Sequence, residues 1–266
     1  MSYMQTSHRP QSRHREGEAL ASRFLAAPAI NQKAAARRRL QSAVTQNIPM
    51  LPVQLFRATA VPKPRGTRLA RLSKRTMDIV LAALGLIVVS PLLAAIAALI
   101  KFDSPGPVFY SAPRAGKYGL TFVCFKFRTM IQDADSLKAI LRCQNERRGA
   151  FFKIARDPRI TRVGRILRRY SLDEIPQLWN VLIGDMSLVG PRPHPLDDCR
   201  FYVPQDLRRL DVTPGITGLW QVTARTDPSF QRNMVLDLEY IERWTLFMDM
   251  RILYKTIFAV LRGTGA

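Results

Sequence analysis

Residues Ile79 to Ile100 read IVLAALGLIVVSPLLAAIAALI, 22 positions without a charged side chain. A straight helix of that length reaches roughly 33 Å, about the thickness of the hydrocarbon core of a bilayer. Buried helices of soluble domains seldom need so long an unbroken run, so the stretch reads as a membrane segment. Ser90-Pro91 stands at its centre, where proline removes a backbone donor and crowds the preceding turn, and a serine hydroxyl can bond the carbonyl that this frees. Basic residues lie on both sides: Arg65, Arg68, Arg71, Lys74 and Arg75 before the stretch, and Lys101, Arg114, Lys117, Lys126 and Arg128 after it. The positive-inside tendency therefore draws both ends to the cytoplasm. A single kinked span and a helix that enters and returns both satisfy these residues.

Upstream, residues 1–76 hold 15 Lys and Arg against 2 acidic residues, a large share of the +21 formal charge of the 266-residue chain. Residues 1–64 are poor in aromatics and carry the run Arg37-Arg38-Arg39 with no acid to pair it, a composition that reads as disorder. No apolar core with a small-residue cleavage site follows the early basic residues, so this is not a signal peptide. Ala19 to Ile30 is weakly amphipathic. The chain divides into a basic tail (1–72), a membrane helix (73–102) and a globular part (103–266).

A basic chain seeks nucleic acid, an anionic membrane surface or a phosphorylated substrate. The tail has no stripe of interleaved basic and aromatic residues, and no nucleic-acid partner is expected. A non-enzymatic membrane scaffold is the other rival. Cys124, Cys143 and Cys199 form no CxxC and no zinc pattern, which fits a reducing compartment. His8, His14 and His194 are not grouped as ligands or as a catalytic pair.

Downstream, Pro105-Gly106-Pro107 marks a turn, and Val108–Tyr110 and Phe122–Phe125 read as strands. Helical patterns separated by Pro/Gly loops fill the rest, giving a mainly α fold with minor β. From Phe230 to Leu261, the residues Leu236, Tyr240, Trp244, Phe247, Met248, Ile252, Ile257, Phe258 and Leu261 follow helical spacing. Core packing is the first reading; an interfacial helix with Arg243, Arg251 and Lys255 interleaved is the second.

The chemistry concentrates in Asp157–Pro193, DPRITRVGRILRRYSLDEIPQLWNVLIGDMSLVGPRP. Ser171-Leu-Asp-Glu174 fits a capping box, with Ser171 as cap and Glu174 reaching back. Asp173 then lies in a first turn, where the helix dipole favours an ionised carboxylate. Such a carboxylate beside basic residues suits nucleophilic attack on phosphorus, and Asp173 is the candidate nucleophile. Arg168, Arg192 and a divalent metal held by carboxylates would offset the charge of a diphosphate. Gly184-Asp185-Met-Ser187 and Pro214-Gly215-Ile-Thr-Gly218 are loops whose small residues would let a ligand approach the backbone. Neither is a P-loop, and no GxGxxG occurs.

Seven ordered blocks now stand together: Lys74-Arg-Thr-Met-Asp78, Asp103-Ser-Pro-Gly-Pro107, Lys126-Phe-Arg-Thr-Met130, Asp157-Pro-Arg-Ile-Thr161, Ser171-Leu-Asp-Glu-Ile-Pro-Gln177, Gly190-Pro-Arg-Pro193 and Pro214-Gly-Ile-Thr-Gly218. In these, from about Ser73 onward, the chain resembles the bacterial sugar transferases that start exopolysaccharide, capsule or O-antigen assembly. The resemblance implies a monotopic protein of the inner membrane, its re-entrant helix broken at Ser90-Pro91 and its small catalytic domain, with interfacial helices, on the cytoplasmic face. It implies attack by Asp173 on the phosphorus bonded to the sugar of a UDP-sugar, release of UMP, and transfer of the sugar phosphate to undecaprenyl phosphate. Mg²⁺ is the implied cofactor, with Asp173 and Glu174 as its carboxylates, and Arg168 and Arg192 as phosphate ligands. Lys126 and Arg128 would bind substrate or headgroups, and Asp249 matches a further acidic position of the family.

Later glycosyltransferases of the same route are further expected partners. Many larger relatives carry additional membrane helices and a nucleotide-binding-like domain before this core, where this chain has a basic tail. The Gln221–Ser229 region resembles transferases of glucose-1-phosphate or galactose-1-phosphate, although Ala224 stands where relatives commonly have glycine.

Overall fold

The computed structural model describes residues 66–141, 154, 157–227 and 229–263. The tail up to Arg65, with the Ala19–Ile30 segment, His8 and His14, lies outside them, as does Cys143. Seven helices dominate: α1 (Arg68–Asp103), α2 (Ala134–Ile140), α3 (Arg162–Arg169), α4 (Gln177–Ile183), α5 (Leu219–Thr223), α6 (Phe230–Arg243) and α7 (Leu246–Leu261). Two small sheets complete the described part, an antiparallel pair β1 (Phe109–Ala115) and β2 (Thr121–Phe127), and a parallel pair β3 (Ser187–Val189) and β4 (Gly215–Thr217). The expectation of a mainly helical chain with little sheet holds, and both strands of the hairpin run longer than the sequence suggested.

Helix α1 starts ahead of the Ser73 boundary read from the sequence, because Thr67 caps it: its Oγ1 accepts from the Ala70 N–H at 3.1 Å. It then runs unbroken for 36 residues with Pro91 inside it. The break expected at Ser90-Pro91 is therefore not an interruption of the helix. Pro91 has no N–H to offer the Ile87 carbonyl, and the Ser90 hydroxyl donates to that oxygen instead, at 2.8 Å. One stripe of α1, with Ala82, Ile96 and Ile100, is buried. The remaining apolar surface is bare, with Ile87 70%, Val88 76% and Phe102 89% exposed.

Both ends of α1 are fastened to the same globular unit. At the start, Lys74 Nζ donates to Asp249 Oδ2 at 2.7 Å and to the Val189 carbonyl at 3.0 Å. Arg75 donates to the carbonyls of Val181 and Leu182 at 2.7 and 2.9 Å, which places a cation at the negative end of α4. Asp78 is buried and accepts from the Leu188 N–H at 3.0 Å. At the far end, Ile96 and Ile100 pack with Phe127 and Leu167. Asp103 Oδ2 accepts from the Val163 N–H at 3.0 Å, helping Thr161 to cap α3.

In β2, residues 122, 124 and 126 share a face. Phe122 and Cys124 enter the main core with Val181, Met186, Val189, Tyr240 and Ile252, and Lys126 follows where that core opens. Asn180 fixes α4 against this strand: its Oδ1 accepts from the Phe125 N–H at 3.0 Å and its Nδ2 donates to the Val123 carbonyl at 2.7 Å. A fully buried amide is thus satisfied by backbone that β1 leaves unpaired. The hinge between α4 and β2 sets the turn before α4 over Lys126.

The C-terminal stretch is two helices rather than one. Thr245 caps α7 through Met248 N–H at 3.1 Å. Core packing holds for Leu236, Tyr240 and Ile252, but Phe247, Ile257, Phe258 and Leu261 are exposed, which corrects their reading as core. Helix α7 has two apolar faces, and only the one bearing Met248, Ile252 and Leu253 packs inward. The other, Leu246, Phe247, Met250, Tyr254, Ile257, Phe258 and Leu261, forms a second stripe that faces outward.

Asp249 has no exposed surface and joins α7 to α1 through Lys74, while accepting from Tyr240 Oη at 2.8 Å and Trp244 Nε1 at 3.1 Å. Removing one charge of such a pair strands the other, at a cost of about 3–5 kcal/mol. Asp249→Asn is expected to lower the thermal unfolding midpoint in detergent by roughly 5–15 °C. An unchanged midpoint would contradict the clamp.

Candidate active site

Four segments converge where β2 ends. Lys126 comes from that strand, and Asp173 and Glu174 from a short 3₁₀ turn, Leu172–Glu174, between α3 and α4. Arg192 comes from the Gly190–Pro193 loop after β3, and Arg168 from the last turn of α3. Both Glu174 oxygens are engaged. Oε1 accepts from Lys126 Nζ at 2.6 Å and Arg192 Nη2 at 2.5 Å, and Oε2 from Arg192 Nη1 at 3.0 Å. This is a bidentate guanidinium–carboxylate pair with a second cation added. Asp173 is less heavily paired, its Oδ2 lying 3.7 Å from Lys126 Nζ.

The capping box predicted from Ser171-Leu-Asp-Glu174 does not form. Ser171 takes a left-handed conformation with φ 55°, and its side chain caps nothing. Glu174 turns to Arg192 and Lys126, two full charges that outweigh one backbone N–H. Asp173 consequently sits in a single 3₁₀ turn, where the dipole of a long helix is not behind it.

The two neighbouring carboxyls are pushed apart in proton affinity. Burial works to raise the pKa of Glu174, but Arg192 first and Lys126 second overcome it and hold this carboxyl far below the ordinary range. Burial is also the largest influence on Asp173 and raises it; Lys126 opposes this, and the charge of Glu174 adds to it. To the basic neighbours expected from the sequence the structure thus adds burial, which acts against them. Glu174 takes most of the available positive charge, and Asp173 is the more basic of the two.

The loop carrying Arg192 is held by its backbone. Gly190 N–H donates to Thr217 O and Gly215 N–H to Pro191 O, both at 2.9 Å, extending the parallel pairing of β3 and β4. A Cβ on Gly215 would come within 2.1 Å of Gly190 N, and one on Gly190 within 2.7 Å of Thr213 O. These glycines let two backbones cross, which corrects the reading of Gly215 as room for a ligand. Beneath the loop, Arg209 donates to the Arg192 carbonyl at 2.9 Å and is paired with buried Asp237 at 2.7 Å. Burial pushes Asp237 up to about 6 against the pull of Arg209.

Arg128 and Asp249, also singled out from the sequence, are placed elsewhere. Arg128 closes the end of α1: it donates to the carbonyls of Ser104 and Pro105, each at 2.7 Å. It is buried there, with its guanidinium donating to backbone carbonyls and to Ser104 Oγ. Asp249 belongs to the Lys74 clamp. Arg168 donates its Nε–H to Thr129 Oγ1 at 2.9 Å, and its charge and that of Asp173 favour each other. Arg225, within the Gln221–Ser229 region but not singled out there, donates to Ser171 Oγ, and its charge reaches Glu174 and Asp173. Asn180, Arg209 and Asp237 had given no sign in the sequence, since each acts through a partner remote along the chain.

No group of three His, Cys, Asp or Glu side chains gathers among the described residues. A hard cation such as Mg²⁺ commonly takes one or two carboxylates and completes its shell with water and phosphate oxygens. Asp173, with oxygens not committed to a bidentate pair, fits that role. Glu174 fits it only when Arg192 or Lys126 releases an oxygen.

A family model described as bacterial sugar transferase matches residues 69–263. The chain belongs to the bacterial sugar transferase family. It is 42% identical over 199 residues to the exopolysaccharide production protein ExoY of Rhizobium meliloti, covering 73% of this chain and 88% of that one. It is 44% identical to the undecaprenyl-phosphate galactose phosphotransferase of Salmonella typhimurium, over 75% of this chain and 42% of that protein. It is 40% identical to the UDP-glucose:undecaprenyl-phosphate glucose-1-phosphate transferase of Escherichia coli, over 71% of this chain and 40% of that protein. The chain thus spans most of ExoY but less than half of the two named phosphotransferases.

Since Lys126 opposes the effect of burial on Asp173, Lys126→Met raises that pKa further. The acid limb of the pH–activity profile is then expected to move to higher pH, because more of Asp173 stays protonated at any given pH. A limb that stayed in place or moved to lower pH would contradict the pairing.

Proposed function

We propose that this sugar transferase moves a hexose-1-phosphate, glucose or galactose being favoured, from a UDP-sugar to undecaprenyl phosphate, as the first membrane step of exopolysaccharide, capsule or O-antigen synthesis. The observation that carries the reading is the division of labour at the site, where Glu174 is locked between two cations and the adjacent Asp173 is left basic, buried and lightly paired.

An Asp173 carboxylate oxygen attacks the phosphorus bonded to the sugar. The bond from that phosphorus to the bridging oxygen breaks, and UMP leaves with the electron pair. An oxygen of the polyprenyl phosphate then attacks the same phosphorus, the acyl phosphate bond breaks, and Asp173 returns as a carboxylate beside polyprenyl-diphosphate-sugar. Splitting the exchange in two means that donor and lipid need not be bound together. Arg192, with about a third of its side chain exposed, is placed to trade part of its bond with Glu174 for a phosphate oxygen. Lys126 and Arg168 add charge where the leaving group becomes anionic. Bound Mg²⁺, held by Asp173 and by Glu174 if it is released, would neutralise diphosphate charge.

The same proposal places α1 as a re-entrant helix in the inner membrane, with the domain on the cytoplasmic side. Its support is the fastening of both ends, Lys74, Arg75 and Asp78 at one and Ile100 and Asp103 at the other, to a single globular unit. A helix crossing the bilayer would send those ends to opposite faces. Helix α7, through its outward apolar stripe and with Arg251 over the Phe247 ring at 4.5 Å, would lie in the same interface.

Two experiments test this. With UDP-glucose and UDP-galactose in a donor panel, UMP release by protein in nanodiscs is expected to need Mg²⁺ and undecaprenyl phosphate for full turnover, and to vanish in Asp173→Asn. Full activity in that variant would remove Asp173 as nucleophile. In a cysteine-free background, Leu69→Cys and Phe102→Cys are both expected to resist a membrane-impermeant maleimide in intact spheroplasts and to react after lysis. Labelling of one alone in intact cells would indicate a crossing.

A further inference from the structure

A cleft of about 260 Å³ opens between the Ser171–Leu178 turn, α5 and the second half of α7. Glu174 and Arg225 are among its lining residues, and Asp173 precedes Glu174 in the chain. Its walls, among them Ile175, Val222, Ala259 and Val260, are mostly apolar. Ala259 and Val260 belong to the turn of α7 whose opposite side carries exposed Ile257, Phe258 and Leu261. The cleft thus runs from the charged site to the helix with the outward apolar stripe. A nucleotide or sugar would find few polar partners along those walls. An amphiphile with an anionic head and a hydrocarbon chain would find both of its halves matched. At this volume the cleft is below the usual size of a pocket for a whole drug-sized molecule, so it suits the first part of a long chain whose remainder stays in the membrane.

Building on the reaction proposed above, we infer that this cleft holds the head-proximal isoprene units of the polyprenyl phosphate acceptor. The acceptor enters past the C-terminal half of α7, its chain lies along Val222, Ala259 and Val260, and its phosphate is delivered to the phosphorus carried by Asp173.

The test separates the two half-reactions. Exchange of labelled UMP into UDP-sugar without lipid reports the donor half alone; full transfer against undecaprenyl phosphate concentration reports the acceptor half. Ala259→Phe and Val222→Phe fill the cleft without touching the charged residues. Both are expected to leave exchange unchanged and to raise the KM for undecaprenyl phosphate about tenfold, equivalent to ~1.4 kcal/mol. If exchange falls while the lipid KM is unchanged, the cleft holds the donor's hexose, with the buried and unpartnered Gln221 Oε1 as its acceptor, and the inference is overturned. Two unchanged parameters overturn it as well. If the phenylalanine variants lose both activities, Ala259→Leu decides: intact exchange with a raised lipid KM supports the inference, and any other result overturns it. Absence of exchange in the unsubstituted protein would instead strike the covalent reaction itself.

Discussion

The arrangement of the site depends on one buried carboxylate, Glu174, and the two cations that neutralise it. Lys126 reaches it from the end of a strand and Arg192 from a loop between two prolines, so a single ionic cluster fastens three segments that are far apart in the chain. Removing Glu174 would leave two cations facing each other without compensation. The cluster also decides the chemistry. With its positive charge concentrated on Glu174, the neighbouring Asp173 keeps a raised pKa through burial, and a more basic carboxylate is the stronger nucleophile once it is ionised. In the reaction proposed above, a diphosphate would compete for Arg192 and a bound divalent cation would stabilise the ionised form of Asp173.

Around this cluster the fold works chiefly through backbone held by side chains. Asn180 pins α4 to β2, Arg209 supports the Arg192 carbonyl, and Arg128 closes the end of α1. Each sets a segment that carries or borders the reacting groups, and each is buried. The membrane helix is part of this framework rather than an attached anchor. Its Lys74, Arg75 and Asp78 bond directly to α7, α4 and β3, so the position of α1 and that of the site are set together.

Much of this was legible in the sequence because it rests on local pattern. The apolar run of α1, the serine that serves the carbonyl orphaned by Pro91, and the carboxylates and arginines of Asp157–Pro193 needed only spacing and composition. The errors came from long-range partners. Ser171-Leu-Asp-Glu174 has the letters of a capping box, yet Lys126, 48 positions earlier, and Arg192, 18 later, take the glutamate that the cap required. Arg128 reads as a contact for substrate or headgroups, and its closing of the end of α1 was not legible. Gly215 looked like ligand space until its strand was paired against Gly190. Arg225 reaches the site only because α5 folds back beside Ser171.

The account stands on the covalent role of Asp173, and intact-protein mass spectrometry addresses it directly. After brief incubation with Mg²⁺ and the preferred UDP-sugar in the absence of lipid, a fraction of the protein should gain the mass of one hexose phosphate, mapped by peptide analysis to Asp173. The adduct should disappear when undecaprenyl phosphate is added and never form in Asp173→Asn. Turnover that reaches steady state with no adduct under rapid quenching, or an adduct on another residue, would contradict the account.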